Sequence, residues 1–126
     1  MKRMVSISIC ATLFFAQGVF AGAGHEHGPK HGGVIREVSS ITYELVAKAD
    51  SLTLHVSDHG KPVATAGTRA QVTLYAGNRK TEVVLEPAGD NRMEAKGNFK
   101  AGVGVRAALA ITLPGKAEQR TTFNLK

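Results

Sequence analysis

The chain has 126 residues, with 16 Lys plus Arg against 10 Asp plus Glu, one cysteine and no tryptophan. That length supports one domain with a modest core, and a lone cysteine excludes an intramolecular disulfide framework, so the fold must rest on apolar packing and backbone ladders. The basic excess does not indicate a nucleic-acid surface, because beyond Lys2-Arg3 the cations stand singly except for Arg79-Lys80.

Residues 1–21 read as a cleavable export signal. A basic start, Lys2-Arg3, precedes an apolar stretch from Met4 to Ala16, and small-residue sites follow at Val19-Phe20-Ala21 and Ala21-Gly22-Ala23. Cleavage is expected after Ala21 or Ala23. Ser6, Ser8, Thr12 and Gln17 dilute the apolar run and no stop-transfer pattern follows, so no membrane insertion is expected after cleavage. Cys10 lies inside the apolar stretch, too near the start to be a lipidation site, and leaves with the signal.

Residues 22–33, rich in glycine and histidine, are expected to be a flexible segment. His25 and His27 flank Glu26, and His31 follows beyond Gly28-Pro29. An imidazole with an ordinary pKa of about 6.5 is largely neutral at pH 7 and offers a lone pair to Zn²⁺, Cu²⁺, Ni²⁺ or Co²⁺. His25, His27, His31 and Glu26 are therefore candidate metal ligands. Neither cleavage site leaves histidine third in the processed chain, so the familiar amino-terminal copper motif is not claimed. Met93 is the only methionine left after processing and no thiolate remains, which disfavours Cu(I) and favours a borderline divalent ion, Cu²⁺ or Zn²⁺. The competing reading is a solvated linker with incidental histidines.

From residue 34 to 126 the pattern alternates with period two, as strands with one buried face do. Ile41, Tyr43, Leu45 and Ala47 fall on one side, with Thr42, Glu44 and Lys48 opposite; Leu52, Leu54 and Val56 alternate with Thr53, His55 and Ser57. The rhythm returns at Val72-Leu74, Val83-Leu85, Met93-Ala95, Val103 through Leu113 and Phe123-Leu125, between turns such as Asp58-His59-Gly60-Lys61 and Ala88-Gly89-Asp90-Asn91. Val63 to Thr68 breaks the alternation and is expected to be mobile. The pattern predicts an all-β fold: an antiparallel immunoglobulin-like β-sandwich of about seven to eight strands.

His55, outward on its strand, and His59, in the following turn, are a second pair of candidate metal ligands. A fully extended chain holds them about 13 Å apart, so they share an ion only if the turn folds back, although either can meet the head and Asp58 can add a carboxylate. Their plainer reading is a surface histidine and a turn histidine. No catalytic constellation is present: no serine sits in a nucleophile-elbow sequence, Gly102-Val103-Gly104 lacks the setting of a nucleotide loop, and Glu82, Glu86 and Glu94 are expected on solvent faces. The chain is read as a non-enzyme.

Five segments carry a resemblance. His27 to Val34 (HGPKHGGV), Tyr43 to Lys48 (YELVAK), Ser51 to Val56 (SLTLHV), Asp58 to Val63 (DHGKPV) and Asn91 to Phe99 (NRMEAKGNF) resemble small periplasmic β-sandwich proteins of Gram-negative bacteria and the amino-terminal region of heavy-metal efflux adaptor subunits. The resemblance implies a soluble periplasmic divalent-metal-binding protein, a carrier, buffer or efflux accessory, with a metal ion and an efflux adaptor as partners. The alternative is a metal-independent periplasmic interaction module with incidental histidines.

Overall fold

The computed structural model describes residues 28–126, so the predicted signal peptide and His25, Glu26 and His27 lie outside the described residues. Nine strands run β1 (Val34–Val38), β2 (Ile41–Lys48), β3 (Ser51–Asp58), β4 (Lys61–Pro62), β5 (Arg69–Ala76), β6 (Arg79–Pro87), β7 (Arg92–Lys96), β8 (Arg106–Thr112) and β9 (Gln119–Asn124). Every pairing is antiparallel, and the described residues contain no helix, hence none long and apolar enough to cross a membrane.

Strand order is β1-β2-β3-β7-β6-β5-β8-β9, with β4 paired to β3 off this path. The edge strands β1 and β9 lie against each other, and Arg36 Nε donates to the Thr122 carbonyl at 2.8 Å, so the sheet is nearly closed and its edges are largely covered. The consecutive strands β5, β6 and β7 have β8 beside β5 and β3 beside β7, which makes two overlapping Greek keys. Both strands missing from the seven-to-eight expectation lack an apolar alternation. In Val34–Val38 no residue is fully buried and Arg36 and Glu37 are exposed, and β4 is two exposed residues held by the ladder to Ser57 and Asp58.

The period-two reading otherwise places the core well. Ile41, Tyr43, Leu45, Leu52, Leu54, Val56, Val72, Leu74, Met93, Leu109, Ile111 and Phe123 all point inward and are buried. Val103 departs from it: a turn closes with Val105 N donating to the Gly102 carbonyl at 3.1 Å, Gly104 takes a φ of +90°, and Val103 is left 86% exposed ahead of β8. The segment Val63 to Thr68, expected to be mobile, is fastened. Val63 N donates to the Val56 carbonyl at 3.1 Å, while buried Thr65 donates through its amide to the Asp90 carbonyl at 3.0 Å and through Oγ1 to the Arg92 carbonyl at 2.8 Å.

Two turns frame one end of the β2-β3 pair. Ser39 and Ser40 have φ of +48° and +70°, and His59 and Gly60 have +52° and +83°; positive φ at both central residues suits the twist of two-residue hairpins. The turns are tied together by His59 N to the Ser40 carbonyl at 3.3 Å and Ser40 Oγ to Asp58 Oδ1 at 3.1 Å.

Buried Tyr43 spans the interior to donate its hydroxyl to the Gln119 side-chain oxygen, linking β2 to the start of β9. Burial pushes its phenol up to about 12, so it remains the donor. Tyr43→Phe is expected to lower stability by about 1–2 kcal/mol, read as a lower urea midpoint with an unchanged slope, because Gln119 loses its partner while the ring still fills the core.

Candidate functional site

The antiparallel register sets Glu44 of β2 directly opposite His55 of β3, and His55 in turn opposite Arg92 of β7. Period two puts Glu44 and His55 on the face away from the core. Glu44 is nevertheless only 5% exposed, because residues 30 to 33 lie across it. The solvent-facing expectation is therefore corrected. The strand pattern reports which side of the sheet a residue occupies, but not what covers that side.

Four donors converge on the Glu44 carboxylate. Oε1 accepts the Lys30 amide at 3.1 Å and faces His31 Nδ1 at 3.0 Å; Oε2 accepts the His31 amide at 2.7 Å and the Gly33 amide at 2.9 Å. Close approach requires glycine at position 33, where a Cβ would collide with the Leu45 carbonyl and with Val46 Cγ2. Burial raises the Glu44 carboxyl, but the Gly33 amide, the His31 ring and the His31 and Lys30 amides together outweigh it and hold the group below its ordinary value.

Docked in this way, the His31 ring stacks on His55 with centroids 3.7 Å apart and planes 4° from parallel. The imidazole of His55 is held below its ordinary value, first by burial and then by repulsion from His31 and Arg92, against the opposing pull of Glu44. His59, at the adjoining turn, turns Nδ1 to Asp58 Oδ1 at 2.7 Å. His31, Glu37, Glu44, His55, Ser57 and His59 line one depression of about 410 Å³.

Of the six residues predicted as ligands, His31, His55 and His59 thus share one depression, and His25, Glu26 and His27 lie outside the described residues. Among the described residues, no group of three or more His, Cys, Asp or Glu side chains is disposed to hold a metal ion. Stacking also keeps His31 and His55 from sharing one ion. An imidazole binds a cation in its own ring plane, and two parallel planes do not converge on one point. Sequence reasoning missed Glu44 as a member of the site. The signal needed was its opposition to His55, which is a fact of register.

The chain matches no known protein-family model, no curated protein and no solved structure.

Two outcomes test this arrangement. Gly33→Ala should force residues 30 to 33 off β2 and lower the melting temperature, whereas a change at Gly28, with open space around it, should be close to neutral. Acid should weaken the fold in two stages. The unfolded chain binds more protons than the folded one as pH drops below 6.5 for His55 and, lower down, below 4.5 for Glu44, so stability falls through each window. Urea midpoints measured from pH 8 to pH 3 should show both steps, with His55→Asn removing the upper and Glu44→Gln the lower.

Proposed function

We propose that this protein is an exported, periplasmic carrier or buffer of a divalent transition ion, Cu²⁺ or Zn²⁺, and an accessory to heavy-metal efflux. In this reading the body is an immunoglobulin-like sandwich that presents a histidine-lined depression to the histidine-rich segment preceding it. One observation carries the proposal: His31, His55 and His59, scattered in the chain, line the same depression. His27 and His25 precede His31 by four and six residues, so an extended chain of about 14 to 22 Å lets both reach an ion bound there.

The chemistry supports a borderline ion. The donors are imidazoles and carboxylates, and the depression holds no sulfur ligand. Arg92 stands opposite His55 and repels a cation there, so the favourable place for a cation is the His31 side. His55 then serves as the platform against which His31 rests. An efflux adaptor as partner is suggested by the likeness of the five segments described above.

Calorimetric titration of the processed protein with Zn²⁺ and with Cu²⁺ near pH 7.5 tests the proposal. Replacing His25, His27 and His31 by alanine should weaken binding roughly tenfold or more, and lowering the pH to 5 should weaken it further in the unaltered protein, because protonation removes the lone pairs. Equal affinity in the two proteins would reject the head as the site.

A further inference from the structure

Glu44 does more than fasten the chain. An ionised carboxylate accepts hydrogen bonds only, so the His31 nitrogen that faces Glu44 Oε1 at 3.0 Å must carry a proton. In a neutral imidazole the lone pair then belongs to the other nitrogen. We infer that Glu44 is a positioning residue that holds His31 as its Nδ1–H tautomer and so presents Nε2 as the atom that binds the cation. This inference rests on the metal-binding reading given above.

Three features support it. First, the carboxylate is itself held rigid: the Lys30, His31 and Gly33 amides occupy it independently of the ring, so it cannot turn away from Nδ1. Second, the ring is constrained in two directions. The Nδ1 contact fixes its rotation within the plane, and His55, parallel at 3.7 Å, fixes the plane itself. Third, the same pairing recurs on the rim of the depression, where His59 turns its Nδ1 to Asp58 at 2.7 Å. A carboxylate on one imidazole nitrogen raises the basicity of the other and orients it, which is the arrangement expected of a metal-binding histidine. The backbone bonds alone would dock residues 30 to 33, so the ring contact is additional to docking.

The test uses the processed protein with ¹⁵N-labelled histidine. Long-range ¹H–¹⁵N NMR on the metal-free wild type near pH 8 should show His31 protonated at Nδ1, and addition of Zn²⁺ should shift its Nε2. Glu44→Gln keeps the shape of the side chain but can donate as well as accept. It should release the tautomer preference and weaken Zn²⁺ binding by about 10- to 100-fold while the dispersed amide spectrum of the sheet is kept. An Nε2–H tautomer at His31 in the wild type would overturn the inference whatever the metal titration showed. An Nδ1–H tautomer in a wild type that binds no Zn²⁺ would overturn the metal-binding reading and, with it, the role given to Nε2. Unchanged Zn²⁺ affinity in a folded Glu44→Gln protein would leave metal binding standing and overturn the part assigned to Glu44. Because the tautomer is read in the wild type, the first outcome is decided even if Glu44→Gln fails to fold.

Discussion

A single covered carboxylate organises the outer face of the β2-β3 pair. An ionised side chain removed from water without partners is strongly destabilising, and so are backbone amides left without acceptors. Here each need answers the other: Glu44 offers two oxygens, and the Lys30, His31 and Gly33 amides together with the His31 ring supply the donors. The chain entering β1 is therefore laid across the outer face of β2 instead of leaving it directly. Glycine at 33 allows the approach, and Val46 is buried beneath the segment.

The sheet gives this contact something firm to work against. The inward residues of β2 and β3, from Ile41 to Leu45 and from Leu52 to Val56, are packed in the core, so the outward residues between them are carried on a rigid wall. Side chains on strands hold their positions better than side chains on loops, and the site divides along that line. Glu44 and His55 belong to the wall, and His31 is brought to them by the preceding segment. Asp58 joins the two neighbouring turns through Ser40 and His59, at the end of the wall whose depression His59 lines.

Face-to-face imidazoles tolerate at most one positive charge between them at modest cost, and the surroundings favour none on His55. Burial, His31 and Arg92 all act against its protonation. His55 therefore keeps its lone pair to lower pH than an ordinary imidazole does. The geometry also separates two roles that composition alone leaves merged. His31 keeps one nitrogen clear of the carboxylate, whereas His55 supports the ring from behind.

Much of the architecture was legible from residue order. Alternation at 41–47, 52–56, 72–74 and 83–85 depends only on the pleat of a strand, a local property, and it correctly divided inward from outward residues. It failed where local chemistry was ambiguous. Val103 continues the alternation on paper but precedes Gly104, whose positive φ turns the chain, and the two-residue β4 has no pattern to read. The histidines could be counted and their ligand chemistry named, because an imidazole has the same donor atoms in any fold. Their meeting could not be foreseen. The opposition of Glu44 to His55, the cover that residues 30 to 33 place over both, and the stacking of His31 depend on strand register and on packing between segments distant in sequence, and only the tertiary structure decides those.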